Sequence, residues 1–242
     1  RERAANSDLE MFYDRKYADY FVELWKRIAT RFKGHPAIWA YDLVNEPMQS
    51  RPSEFGYWEL QQEAAKAIRA IDPERPIIVE SNNWCQPDAF NYLRPFPLKN
   101  IIYQVHVYNP GAYTHQMVHN NWGVAGGTEL VSYPGMISGT MYNRERLRKI
   151  LQPVRDFQLR YGARIYVGEF SAVRWAPGAA QYLKDCISIF EEYGWDWTYH
   201  AFREWSGWSV EHSDDPKITT PVETDTARKK VLLDGFKRNR KH

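Results

Sequence analysis

Apolar residues recur at helical spacing in Phe21, Leu24, Trp25, Ile28 and Phe32. This predicts a helix, with Ser7-Asp8-Leu9-Glu10 as a capping box at its start and Gly34 with Pro36 at its end. A strand over Ile38–Val44 follows, in which Trp39, Tyr41 and Leu43 alternate with smaller or polar neighbours until Asn45-Glu46-Pro47 breaks the pattern. Tyr57–Ile71 reads as a second helix, stopped by Asp72-Pro73. Two apolar runs follow, Ile77–Glu80 and Ile101–Tyr108, both of the kind found in strands buried on two faces. The segment between them is poor in helical periodicity. A loop rich in Gly, Tyr and His spans 112–142, and a loop of that length without structure of its own is often functional. Helices over 143–161, 179–193 and 225–236 alternate with strands over 165–169 and 197–202. Helix and strand taking turns imply a parallel sheet of about five strands in an α/β fold. No linker-like stretch interrupts the chain, so one domain over residues 1–242 is expected.

A hydrophobic fraction of 43% over 242 residues is enough for a sizeable core. Basic and acidic residues nearly cancel, at 32 and 30, so the charge gives no reason to expect nucleic acid or a membrane surface as a partner. The basic end, Lys237 to His242, reads as a solvated tail. No run approaches the roughly 20 apolar residues needed to span a bilayer. Two cysteines, Cys85 and Cys186, make no disulfide framework. The sequence opens on Arg1 rather than Met, so export cannot be read from it and the compartment stays open. Ten Trp and sixteen Tyr are the compositional outlier. Such rings offer flat apolar faces with a polar handle, which suits sugar rings as well as it suits a core.

The candidate chemistry lies where strands stop. One strand end delivers Asn45 and Glu46, another His106 and Tyr108, a third Glu169 within Gly168-Glu169-Phe170, and the last leads to Trp205. In a parallel α/β barrel such ends share one mouth, and a cluster gathered from separate strands is how barrel sites are built. Two carboxylates are the minimal equipment for cleaving a glycosidic bond. His115 and His119 stand four apart, but no third ligand is evident, so no metal is expected, nor any cofactor.

Asn45-Glu46-Pro47, His106-Val107-Tyr108, Gly168-Glu169-Phe170 and the Trp205 region, in this order, resemble the cellulase-like glycoside hydrolases of family 5. The resemblance implies Glu46 as general acid/base and Glu169 as nucleophile of a retaining β-glycosidase acting on β-1,4-glucan or gluco-oligosaccharides. It implies further that Asn45 binds the sugar 2-hydroxyl, that His106 lines the sugar site, that Tyr108 hydrogen-bonds the nucleophile and that Trp205 forms a stacking floor. Trp84, just past the second strand, is a further candidate platform. Such a substrate is compatible with a secreted or periplasmic place. β-Mannanase or β-1,3-glucanase specificity, or a non-catalytic carbohydrate-binding protein, are the alternatives.

Family members have eight strands, with the acid/base after the fourth. Only 37 residues precede Ile38 here, while each strand–helix unit takes roughly 30 residues. The expectation is therefore an incomplete (β/α)8 barrel of about five strands. Its open side would be covered by a second copy in a homodimer, or else the chain is a fragment.

Overall fold

A computed structural model describes residues 8–120, 123–124, 126 and 128–239 of the chain. The strands are β1 (Tyr41–Asp42), β2 (Ile77–Glu80), β3 (Ile101–Val107), β4 (His119–Asn120), β5 (Gly123–Val124), β6 (Gly135–Ile137), β7 (Thr140–Tyr142), β8 (Arg164–Phe170) and β9 (Asp196–Trp197). The α-helices are α1 (Arg15–Phe32), α2 (Tyr57–Ile71), α3 (Asn82–Cys85), α4 (Gly111–Thr114), α5 (Arg144–Tyr161), α6 (Ala179–Tyr193) and α7 (Ala227–Phe236). Five strands form a parallel sheet in the order β1-β2-β3-β8-β9, and no closed barrel is found among the described residues. The fold is α/β, as the alternation of helix and strand implies. Contacts divide the chain into two compact units, Arg1–His106 with Pro153–Tyr166, and Val107–Gln152 with Val167–His242.

In the first unit, α1 starts at Asp14, whose side chain accepts a hydrogen bond from the Lys16 amide at 2.9 Å. The expected capping box therefore does not open α1; Glu10 begins a short 3-10 turn over Glu10–Phe12, and Ser7 lies outside the described residues. The apolar stripe is also not the buried one. Ala18, Val22 and Ala29 are buried, whereas Leu24 is exposed, together with Tyr17 and Tyr20. The small side chains let α1 lie close to α2, which buries Leu60, Ala64, Ala65 and Ile68.

Strands β2 and β3 are buried along their whole length, as expected of parallel strands covered on both faces. Their register pairs Ile77 with Ile101 and carries on to Glu80 opposite Gln104, so two polar side chains sit side by side at the carboxyl ends. Strand β1 is shorter than the alternation suggests. Tyr41 and Asp42 pair with Ile77 and Ile78, and the ladder bonds stop at Leu43 N to Ile78 O. As the first strand in the sheet order, β1 has a neighbour on one side only, and Trp39 remains half exposed.

The second unit is centred on α6, which buries Tyr182, Leu183, Cys186, Ile187, Ile189 and Phe190. Gly178 begins this helix with φ +83°, and a Cβ there would fall 1.8 Å from the Tyr133 carbonyl oxygen, so no other residue fits. The long loop proves structured. It carries α4 and two antiparallel hairpins, β4–β5 and β6–β7. Tyr113, Tyr133 and Tyr182 meet with ring centroids 5.3–5.8 Å apart, and Tyr133 Oη donates to Asp185 Oδ2 at 2.7 Å, tying the loop to α6. The last strand is cut to Asp196–Trp197, where a strand over 197–202 was expected. Beyond it two main-chain bonds to β8 remain, Thr198 N to Val167 O and His200 N to Phe170 O, and the chain then turns irregular and is held largely by side chains.

Two buried arginines do that holding. Arg174 Nη1 donates to the carbonyls of Ser213 and Asp215 at 2.5 Å each, and its Nη2 donates to those of Pro216 and Ile218 at 3.1 and 2.8 Å. Arg228 donates to the carbonyls of Ser209 and His212. Planar guanidinium forks suit this role because they satisfy several acceptors from one fixed plane. Arg174→Ala would strand four carbonyls and is expected to cost about 3 kcal/mol in urea unfolding. The 213–218 segment should become the first site of proteolysis; an unchanged unfolding midpoint would refute this account of the loop. Among the described residues, no helix is long and apolar enough to cross a membrane.

Candidate active site

Leu43 and Val44 leave β1 buried, and the chain then delivers Asn45, which is exposed, and Glu46, whose side chain is 27% exposed. Glu46 has φ +50°, the left-handed region that a non-glycine residue enters only when its surroundings hold it there. The holder is Glu80. Its Oε2 accepts the Glu46 backbone N–H at 2.6 Å. The Glu46 side chain comes back along the same polar group, with Oε1 3.1 Å from His106 Nδ1.

Glu80 is fully buried. Its Oε1 accepts from Gln104 Nε2, which also donates to Asp42 Oδ2 at 3.1 Å. Its main chain is clamped by Gln61, whose amide donates to the Glu80 carbonyl at 2.9 Å and accepts the Glu80 N–H at 3.0 Å. Burial pushes the Glu80 carboxyl up to about 8; Asp42 and Glu46 push the same way, while His106 and the Glu46 amide pull it down. Cys85 lies against this group with its Sγ donating to the Gln104 carbonyl at 2.9 Å, and burial pushes its thiol well up. Glu80, Cys85 and His106 approach within 4.8 Å of one another. With a neutral thiol and both Glu80 oxygens already accepting hydrogen bonds, they form a hydrogen-bonded network rather than a ligand set.

Trp84 stands on an unusual turn. Asn83, Trp84 and Cys85 have φ of +57°, +54° and +60°, three left-handed non-glycine residues in succession. The turn is bound to the segment after Glu46. Trp84 N donates to the Pro47 carbonyl at 3.2 Å, and Asn82 and Gln49 exchange two hydrogen bonds at 2.8 and 2.9 Å. Backbone strain of this kind concentrates at functional positions, and the indole is left 37% exposed.

In the second unit, β8 presents Glu169, whose side chain is 20% exposed. Tyr108 Oη donates to Glu169 Oε2 at 2.8 Å, and His200 Nδ1 lies 3.8 Å from the same oxygen. The other His200 nitrogen, Nε2, is 2.8 Å from Glu204 Oε2, which orients the ring. Thr114 Oγ1 donates to the Tyr108 carbonyl at 2.7 Å, fixing the phenol from behind. Around this carboxylate Tyr108, His115 and Trp208 form an aromatic triangle with centroids 5.0–5.8 Å apart. Trp205 is 38% exposed and meets Trp175 and Trp208 edge-on at 5.8 and 5.4 Å. Gly207 lies under the Trp205 ring, where a Cβ would come within 2.3 Å of it. The His115–His119 pairing cannot be followed, because the His119 side chain lies outside the described residues, as do Arg240, Lys241 and His242 of the basic tail.

Three polar residues of these centres escape the sequence motifs: Glu80, Gln104 and His200. Glu80 carries the same signal as Glu46 and Glu169, an acid where an apolar run stops. His200 follows a strand too short to announce it.

Each unit thus carries one motif glutamate held by a neighbour, Glu46 by His106 and Glu169 by Tyr108. The cellulase family, glycosyl hydrolase family 5, matches over residues 6–207, and the chain belongs to it. Endoglucanase C of Acetivibrio thermocellus is 30% identical over 213 residues, covering 78% of this chain and 62% of its own length. The chain thus spans less than two thirds of that relative. A hyperthermophilic endo-β-1,4-glucanase solved with substrate superposes with a TM-score of 0.73 at 27% identity, over 91% of this chain and 67% of its own. Endoglucanase Cel5A of Thermotoga maritima, solved with mannotriose, superposes with a TM-score of 0.68 at 26% identity, over 91% of this chain and 66% of its own.

Proposed function

We propose that this chain is the catalytic part of a retaining β-glycoside hydrolase that cleaves β-1,4-linked glucan or gluco-oligosaccharides. The observation that carries this reading is the Tyr108–Glu169 hydrogen bond in a family 5 chain that also carries the Asn45-Glu46 pair. Glu169 is the nucleophile, and the Tyr108 phenol donating to one of its oxygens leaves the other for the anomeric carbon. Its attack forms a glycosyl ester, while Glu46 gives its proton to the departing glycosidic oxygen. Glu46, now a carboxylate, then takes a proton from water as that water attacks the same carbon and releases Glu169. Asn45 bonds the 2-hydroxyl of the sugar, a contact that strengthens as the oxocarbenium character grows. His106 lines the sugar site, and Trp205 and Trp84 supply stacking surfaces on either part of the chain.

Relatives described as endoglucanases, and one endo-β-1,4-glucanase solved with substrate, support the glucan assignment. Mannan is the second reading, favoured by the mannotriose complex of Thermotoga maritima Cel5A. Incubation with β-1,4-gluco-, β-1,4-manno- and β-1,3-gluco-oligosaccharides, followed by proton NMR of the first product, tests both. Cleavage of the β-1,4-glucan series with the β-anomer formed first is expected. Inverted product overturns the mechanism, and binding without cleavage would leave a carbohydrate-binding protein.

A homodimer belongs to the same proposal. Tyr17, Tyr20 and Leu24 are exposed and, with Leu9, Phe21, Leu43 and Val44, line an apolar groove of about 570 Å³ in the first unit. Sedimentation at micromolar concentration is expected to give a dimer, and a single monomeric boundary would refute it.

A further inference from the structure

Glu80 has no part in the bond-breaking steps above, yet every strand end of the first unit turns toward it. Asp42 at the end of β1, Glu46 in the following turn, Cys85 in α3 and His106 on β3 are the titratable groups that face it, with Gln61 and Gln104 completing its shell. Two links run from this buried carboxyl to Glu46. One is direct, the 2.6 Å bond from the Glu46 amide to Oε2. The other passes through His106, whose Nε2 lies 3.8 Å from Glu80 Oε1 and whose Nδ1 lies 3.1 Å from Glu46 Oε1. A ring held between two carboxyl groups communicates the charge of one to the other.

We propose that Glu80 is the positioning residue of the acid/base: its carboxyl anchors the Glu46 main chain in the left-handed turn and, through His106, sets the charge that the Glu46 carboxyl meets. This rests on the reading of Glu46 as the acid/base. The anchoring follows from the geometry of Glu46, since φ +50° directs the side chain toward His106 and the Glu80 oxygen is the acceptor that receives the turned amide. The charge link follows from burial. A carboxyl kept out of water loses its proton only near pH 8, and the anion it then becomes sits behind His106 with no solvent to screen it. That charge faces His106, the ring whose other nitrogen lies against Glu46 Oε1. Glu80 therefore acts on Glu46 through the main-chain amide it accepts and, once ionised near pH 8, through His106.

The test has two readouts. The ring resonances of His106, followed by NMR from pH 5 to 10, are expected to show a step near pH 8 in the wild type and to lose it in Glu80→Gln. In the same variant kcat/KM should stay within about threefold of wild type at acid pH and diverge from it above pH 8. Glu80→Asp, which keeps the charge but withdraws it by one methylene, should keep the His106 step and lower kcat by about tenfold with little change in KM. A wild-type His106 ring that is silent near pH 8, or pH profiles that superpose, overturns the proposal, as does a uniform scaling of the whole profile with only a lowered Tm. The wild-type NMR titration decides even if Glu80→Gln fails to fold. It also separates the two claims, because full hydrolysis by Glu46→Gln would remove the acid/base reading without touching the His106 step.

Discussion

Glu169→Gln is expected to lose hydrolysis of every substrate by about 10⁴-fold or more, activated aryl glycosides included, because no step of the proposed mechanism proceeds without its nucleophile. Glu46→Gln should behave differently. Its loss depends on the leaving group: about 10²- to 10⁴-fold on cellooligosaccharides, where the departing alkoxide needs a proton, and far less in the first step on a dinitrophenyl glycoside, which leaves unaided. In that case the glycosyl ester should accumulate, since water still lacks its base. A burst of dinitrophenolate followed by a slow steady rate is the signature to look for. Added azide, which needs no base, should restore turnover of Glu46→Gln and give a glycosyl azide of retained configuration. Equal losses for the two variants on both classes of substrate would reject the assignment of separate roles, even if both were inactive.

The second large effect concerns stability. Glu80 is buried and its carboxyl is pushed up to about 8, whereas in the unfolded chain it titrates as an ordinary carboxylate. The folded state therefore binds a proton that the unfolded state releases between those two values. Its contribution is fully present below the ordinary carboxylate range and is lost as pH rises toward 8. Urea unfolding of the wild type should weaken by on the order of a few kcal/mol between pH 5 and 9 from this group alone. Glu80→Gln, which imitates the neutral form at every pH, should flatten that decline and be the more stable protein at pH 9. A decline equally steep in both would place its origin elsewhere. The prediction joins function to stability: a buried ionisable group is retained at a thermodynamic cost that a neutral amide would avoid.

Much of this was legible in the sequence, and the reasons differ by element. Helices α2 and α6 were found with their observed ends because Asp72-Pro73 and Gly194 stop them chemically. Strands β2 and β3 were legible because both faces are buried, leaving unbroken apolar runs. The start of α1 was misplaced because Asp14 competes with the earlier Ser7 to Glu10 spacing and has the side-chain bond that decides. The last strand is shorter than its strand-like composition from Thr198 to Phe202 suggests, because past Trp197 its amides bond β8 at Thr198 and His200 without completing a ladder. The motif glutamates stood out by their neighbours in sequence. Glu80 also ends an apolar run, but its contacts lie in the register that sets it beside Gln104 and in the turn that brings it the Glu46 amide. No local pattern encodes either relation.

Gly207 has a consequence for anyone who would retune sugar preference. The Trp205 indole occupies the space where a first side-chain carbon would be, and it is propped on two sides by Trp175 and Trp208. Its tilt is thus decided by an atom that is not there. Adding a single methyl at that one position would displace the ring and, on the stacking role proposed for Trp205, change which faces of a pyranose can rest on it.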